Sequence, residues 1–311
     1  MLGVFPASGG LGGSISSHLL AALVPPAELV FIARHPAKLA DAQAKGVTVR
    51  QADYDAPETL STAFDSVKTL CLISYPSIQD DHRFESHKRA IDAARASGTG
   101  APESRTSVAQ VMQAHLRTEA YLRELAARET GFSYTIVREG LYSESTPIYT
   151  AFFTLERPWT PIRIPHDGSG PGIAWAKRDD LGKATARVLA SVHAGGASAS
   201  AYRNALLVLT GPRAVSLDET VAHLARAAGV PDLRIERVAP EQYAQQPQVQ
   251  DGFAAYPGGG GRWALPWASA WEGVRRGETA VVTPTLGELL GREPESFEVT
   301  LEGLARAARG E

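Results

Sequence analysis

The sequence predicts an α/β fold: a doubly wound parallel sheet with a smaller C-terminal α/β substrate lobe. Three observations carry that prediction. Short apolar runs alternate with helix-periodic segments, a glycine-rich turn follows the first run, and from Leu141 onward the alternation becomes irregular. Parallel strands joined by helices need right-handed crossovers, and those cover both faces of the sheet.

Each element follows from a local pattern. Leu2–Phe5 reads as a strand, and Ile15, Leu19, Leu20 and Leu23 recur at helical spacing over 11–23. ELVFIAR (28–34) is a second strand, PAKLADAQAKG a helix opened by Pro36 and closed by Gly46, and VTVRQAD a third strand. APETLSTAF is a short helix and KTLCLIS a fourth strand. Helices are predicted over 79–98, with Phe84, Ile91 and Ala94 on one side, and over 106–131, followed by the strand FSYTIVREG. A doubly wound fold should place a buried strand between those two helices, yet TGAPESRT contains no apolar run. A core strand is therefore expected to be missing near residue 100, as an alternative exon choice would produce. Either YTIVRE then pairs directly with TLCLIS, or the sheet is left open there.

RPWTPIRIPHDGSGPGIAW, rich in Pro and Gly, opens the smaller lobe. KRDDLGKATARVLASV (177–192) is a helix, NALLVLTG a strand, and SLDETVAHLARAAG a helix whose Ser216 and Glu219 fit a capping box. HAGGASASAY reads as a surface loop. AYPGGGGR reads as a linker in preference to a phosphate cradle at 258–261, because no strand precedes it. No repeat of fixed period occurs, which excludes a solenoid.

Composition narrows the function. The 311 residues are 44% hydrophobic and 21% charged, enough apolar material for one large α/β domain or two unequal lobes. A formal charge of -3 and a pI near 6.3 give no field for a polyanion, so direct nucleic-acid binding is not expected. The single Cys71 sits in an apolar run, where a thiol packs, and cannot form an intramolecular disulfide. There is no basic segment leading into an apolar one and no run of about 20 apolar residues, so a soluble cytoplasmic protein without a membrane role is expected, as monomer or homodimer.

The turn GVFPASGGLGGS carries the main functional signal. A dinucleotide turn uses glycine for a tight turn, for close approach to pyrophosphate, and for close packing of helix on strand. Gly9 and Gly12 meet the second and third needs. Pro6 stands where the first glycine is expected, which is tolerable if that position neither needs positive φ nor donates a hydrogen bond. The phosphate donors are then Ser8, Gly9, Gly10 and Leu11 at the positive end of a helix. Arg34 ends the second strand 22 residues past Gly12, where an acid would select NAD and an arginine suits the 2′-phosphate of NADP. NADP(H) is therefore the preferred cofactor, with Lys38 as a second cation and NAD(H) the weaker alternative. Asp53, after the third strand, suits either the adenine end of the site or a cap ahead of APETL.

FPASGGLGGS, IARHPAKL, ADYDAPETL, SYPSI, HKRAIDAARASG, VMQAHLRTEAYL, YTIVREGLYSES and LLGREPESFEVTL occur in an order that resembles the NmrA-like atypical short-chain dehydrogenases/reductases, especially fungal members similar to the bacterial type-two quinone oxidoreductase. The likeness spans nearly the whole chain. It implies a Rossmann-type NAD(P)-binding domain, here 1–145, and a substrate lobe drawn mainly from 146–311, some of whose segments return to the first domain. It further implies either NADPH-dependent reduction of quinones or dyes, or cofactor sensing through a regulatory protein partner without turnover. Carried over residue by residue, the loop Ser74, Tyr75, Pro76 and Ser77 passes beneath the nicotinamide ribose. The turn 140–144 closes over the nicotinamide, with Tyr142 either contacting substrate or packing between lobes.

The Tyr-x-x-x-Lys pair of ordinary short-chain dehydrogenases is absent, since the corresponding helix reads Met112-Gln-Ala-His115-Leu-Arg-Thr118-Glu119. His115 is the candidate for proton donation or ribose contact, assisted by Thr118 or Glu119, or is simply packed. Hydride transfer to a quinone needs mainly proximity, so the missing tyrosine does not exclude reduction of a small-molecule substrate. No metal site is expected: His82 and His87 are five apart on a helix and share no face. Asp179 in RDDLG reads as structural. Trp263, Trp267 and Trp271 suit a small-molecule pocket, core packing or a subunit interface.

Overall fold

The structure is a computed structural model that describes residues 1–94, 107–156, 158–255 and 260–311. The strand expected to be missing near residue 100 and the first half of the glycine run at 258–261 lie outside the described residues.

Four strands, β1 (Leu2–Phe5), β2 (Leu29–Ala33), β3 (Thr48–Gln51) and β4 (Thr69–Leu72), form a parallel sheet in the order β3-β2-β1-β4. Leu2 pairs with both Leu29 and Thr69, and Val30 with Thr48. Every residue of β1 and β2 is buried, which is why both read as unbroken apolar runs. Helix α1 (Gly10–His18) continues through a π turn at Leu19–Leu23. The predicted helix after Pro36 is instead a 3₁₀ turn, Pro36–Leu39, followed by a short α2 (Ala40–Ala44), and APETLSTAF forms only a 3₁₀ turn over Pro57–Leu60.

Helices α3 (Asp80–Ala94) and α4 (Gln113–Arg128) pack on each other, and α4 leads into β5 (Thr135–Glu139). After α5 (Thr146–Tyr149) come β6 (Ile162–Ile164), α6 (Arg178–Ala194), α7 (Gly196–Ser200), β7 (Ala205–Leu209), α8 (Leu217–Ala228) and β8 (Ile235–Arg237). Sequence reasoning missed the parallel β6–β8 pair and read α7 as a loop. Ser216 caps α8 by accepting the Glu219 N–H at 3.0 Å, but the Glu219 carboxylate turns to Arg213, so only half of the capping box forms.

The sheet is divided. Among the described residues, strand β5 pairs with β7 and not with β4, so YTIVRE does not pair directly with TLCLIS. Among the described residues, β4 and β5 each present one edge without a neighbouring strand, and all of β4 is only partly buried. Helix α6 spans the division: its Ala186 packs with the β1–β2 core, and its Leu181 and Ala184 pack with Leu209 of β7.

A separate aromatic core holds the C-terminal half. Trp175 stacks on Phe297 at 5.5 Å, Trp271 meets Tyr243 at 4.6 Å and Trp267 meets Tyr149 at 5.6 Å. Trp267 and Trp271 are buried and Trp263 packs beside them, which makes all three core residues. Among the described residues, no helix is long and apolar enough to cross a membrane.

Two neighbouring glycines in α1 have opposite requirements. A Cβ at Gly12 would collide with the Pro6 carbonyl oxygen, whereas one at Gly13 would meet nothing. Gly12→Ala should therefore destabilise by about 1–3 kcal/mol. Gly13→Ala should stabilise by about 0.5–1 kcal/mol. Urea unfolding midpoints of the two variants check this.

Candidate functional site

The glycine turn leaves β1 through Pro6, whose peptide with Phe5 is cis, and α1 opens at Gly10 with Gly9 as its N-cap. None of Pro6, Ala7, Ser8, Gly9 or Gly10 adopts positive φ. Proline is therefore compatible with the turn. No side chain caps α1, and Gly9 and Gly10 are exposed, so the amides of Gly10, Leu11 and Gly12 point outward without helical acceptors. Gly13 N–H already bonds the Gly9 carbonyl at 2.6 Å. Gly12 does the packing predicted for it, against Pro6. Free amides at the N-terminus of a helix have the chemistry of an anion site.

The residues expected at the adenosine end lie after β2 and β3. Arg34 follows β2 with 56% of its side chain exposed, and its Nε lies 3.9 Å from Asp53 Oδ2. Two residues chosen separately from sequence thus meet across the ends of β2 and β3. Asp53 is no cap: the turn at Pro57 is preceded by Ala56, and Asp53 Oδ1 accepts the Asp55 N–H at 3.1 Å. Lys38 is exposed on the 3₁₀ turn that follows Arg34.

Past β4, Ser74 enters a fixed chain of hydrogen bonds. Thr118 Oγ1 donates to the Ala114 carbonyl, so it accepts from His87 Nδ1 at 2.8 Å. His87 Nε2 then carries no proton and accepts the Tyr75 N–H and the Ser74 hydroxyl, each at 3.0 Å. Ser74 Oγ in turn accepts two bonds from Arg83, at 3.1 and 2.8 Å. Burial, with Arg83 second, lowers the His87 pKa to about 3. Burial also lowers that of Arg83 to about 10. Tyr75 is buried, its hydroxyl donating to Asp55 Oδ2 at 2.6 Å, so only its backbone faces the loop, while Pro76 is exposed.

His115 lies 6.2 Å from the His87 ring. Burial, then Arg83, His87 and Arg138, hold its pKa well below the ordinary value, so its imidazole is neutral and suited to hydrogen bonding. Thr118 is consumed by His87, and Glu119 is buried between Arg138 (2.7 Å) and Arg123 (3.1 Å). Neither is free to assist it.

At the end of β5 the structure adds groups that sequence reasoning missed. Tyr142 OH donates to Glu139 Oε2 at 3.0 Å, and Thr185 Oγ1 donates to Glu139 Oε1 at 3.0 Å. Burial raises the Glu139 carboxyl to about 7 despite both bonds. The Arg178 guanidinium lies 5.2 Å over the Tyr142 ring, and a Cβ at Gly10 would stand 2.9 Å from its Nη1. Arg178 therefore joins the glycine turn to Tyr142. The only sequence signal was a carboxylate and an arginine at element ends, which reads equally as solvated charge. Asp179 behaves as expected, bonding Ser14 (2.7 Å) and His18 (3.0 Å) of α1.

Elsewhere, Glu219, His223 and Glu298 converge, but Arg213 bonds both carboxylates and supplies the positive charge there. Cys71 on β4 has its thiol pushed up to about 12 by burial, with Glu139 adding, which leaves it unreactive.

The neutral His87 makes stability pH-dependent. Its folded pKa, about 3, lies below the unfolded value of 6.5, so its contribution is complete above pH 6.5 and is lost as pH falls toward 3. Between those limits it should add a slope of up to about 1.4 kcal/mol per pH unit to the unfolding free energy. His87→Gln should remove that slope in denaturant titrations run across the same range.

Comparison with known proteins gives the family of the chain. An NAD(P)H-binding family model matches residues 7–157. Quinone oxidoreductase 2 of Escherichia coli is 32% identical over 235 residues, covering 74% of this chain and 75% of that protein. The NmrA-like family domain-containing oxidoreductase flvB of Aspergillus flavus is 27% identical over 300 residues, covering 93% and 89%. Among solved structures, the E. coli NADPH-dependent quinone oxidoreductase complexed with NADPH has a TM-score of 0.75 at 27% identity, covering 98% of this chain and 99% of that one. The Citrobacter sp. triphenylmethane reductase complexed with NADP(H) has a TM-score of 0.73 at 26% identity, covering 97% and 99%. With its parallel sheet, uncapped glycine turn and this degree of likeness, the chain belongs to the NmrA-like family of NAD(P)H-binding oxidoreductases, the atypical short-chain dehydrogenases/reductases.

Proposed function

We propose that this protein is an NADPH-dependent reductase of quinone-like or other conjugated small molecules. The observation that carries the reading is Arg34: a 56% exposed guanidinium ends the strand where an NAD enzyme would place a carboxylate. The relatives named for NADPH-dependent quinone and dye reduction support the same choice. In this reading Ser8, Gly9, Gly10, Leu11 and Gly12 hold the pyrophosphate, Arg34 and Lys38 the 2′-phosphate, and Asp53 the adenine side while orienting Arg34. Ser74, Pro76 and the Tyr75 backbone pass beneath the nicotinamide ribose, His115 hydrogen-bonds nearby, and Tyr142 contacts the acceptor. Residues 1–145 supply most of the cofactor site and residues from 146–311 shape the acceptor pocket. NADPH supplies a hydride, and the chain's task is to orient nicotinamide and acceptor and to deliver a proton.

One observation favours a second reading. The sheet is divided beside the proposed nicotinamide end, while the pairing of β1, β2 and β3 is complete. A protein that bound the cofactor without turnover, sensing redox state for a protein partner, would need only the intact part.

NADPH oxidation against a panel of quinones and triphenylmethane dyes, alongside calorimetric NADPH titration, separates the two. Turnover is expected, and binding without turnover for any acceptor would leave the sensor. Arg34→Ala should weaken NADPH by about 10- to 100-fold and leave NADH nearly unchanged. Equal wild-type affinities for the two nucleotides would refute the assignment.

A further inference from the structure

We propose that Glu139 is the proton reservoir of the reduction and that Tyr142 delivers the proton to the acceptor. The inference rests on the reductase reading above and goes beyond it by naming the source of the second hydrogen.

The geometry is that of a short relay. Glu139 stands at the last position of β5, held by Thr185 from α6 on one oxygen and by Tyr142 on the other, both at 3.0 Å. Tyr142 stands three residues on, beneath the Arg178 guanidinium that abuts Gly10 of the cofactor turn. When Glu139 is ionised, the phenol must donate to it and is unavailable to a substrate. When Glu139 is protonated, its O–H can donate to the phenol oxygen, and the Tyr142 hydrogen is free to point toward an acceptor.

The surrounding groups leave this pair as the available acid. The charged and titratable groups that act on the pair are Cys71 from β4, Arg178 from α6 and Arg83 from α3, and the nearest others on α4 and β5 are His115, Glu119 and Arg138. Cys71 is pushed up to about 12 and His115 is neutral. Glu119 and Arg138 pair with each other at 2.7 Å, and Arg83 is engaged by Ser74. Burial and then Glu139 hold the Tyr142 phenol well above its usual range, so it passes a proton on rather than losing one outright. Burial leaves Glu139 half protonated near pH 7.

The step balances. The hydride brings an electron pair and one hydrogen to a quinone-class acceptor, and an acceptor oxygen takes the Tyr142 proton as Tyr142 takes that of Glu139. The products are the hydroquinone, the oxidised nucleotide and a Glu139 carboxylate, which solvent reprotonates.

Two measurements test the assignment. Infrared titration of the protein without cofactor should show a protonated-carboxyl stretch below pH ~7 that is lost above it and absent from Glu139→Gln. A Glu139 that ionises in the ordinary carboxylate range overturns the proposal without any appeal to activity. In turnover, wild-type kcat should fall about tenfold per pH unit above about 7. Glu139→Gln should lower kcat by about 10²-fold and abolish the fall, and Glu139→Asp should restore a fall. Tyr142→Phe should lower kcat similarly with NADPH affinity unchanged. A wild-type profile that is flat, or variants that turn over like wild type, overturn the Glu139 role alone. A wild type that reduces no acceptor overturns the reductase reading and this role with it.

Discussion

The seating of α1 on β1 through Gly12 is the constraint on which the site depends. With no Cβ at Gly12, the helix descends onto the Pro6 carbonyl oxygen, and its free N-terminal amides come level with the strand ends. A second glycine continues the stack outward. A Cβ at Gly182 of α6 would collide with the Ser14 side chain of α1, and Asp179 pins the same helix pair through Ser14 and His18. Because β1, α1 and α6 are locked in this order, the N-terminus of α6 lands over the glycine turn and brings Arg178 to Gly10. Two hydrogen side chains, far apart in sequence, thus make a cation available where the turn would receive pyrophosphate.

How legible this was depended on how local each cause is. Strands β1 and β2 are buried on both faces, so their unbroken apolar runs announce them. The glycine turn and Arg34 were legible because spacing along the chain fixes their positions. The β6–β8 pair was not: three residues flanked by Pro161 and Pro165 are too few to show a period, and their partner is contributed by a distant segment. Arg178 and Glu139 were opaque for the same reason, since their meaning comes from Gly10 and Thr185, contacts set only by the stacking of α6. Asp53 shows the converse. It looked equally like a cap and like an adenine contact, and the turn that follows it begins too late for it to cap.

The divided sheet gives the two ends of the site different physical foundations. Arg34 and Asp53 follow β2 and β3, whose ladder is continuous with β1, so the strands that lead into them are fixed by paired backbone hydrogen bonds. Ser74 and Tyr142 follow β4 and β5, which pair with β1 and β7 and not with each other. Backbone bonds continue past each strand, Ile73 N–H to the Phe5 carbonyl at 2.7 Å and Ser143 N–H to the Ala176 carbonyl at 2.9 Å, and side chains add to them: Arg83 and His87 from α3 and Thr118 from α4 hold the loop after β4, while Thr185 from α6 and Glu144, which accepts the Arg178 N–H at 3.1 and 3.2 Å, hold the turn after β5. A ladder is redundant and tolerates the loss of one bond, whereas a chain of single side-chain bonds does not. In the proposed reading, the adenosine end would rest on strand pairing alone, whereas proton delivery would depend as well on single side-chain bonds.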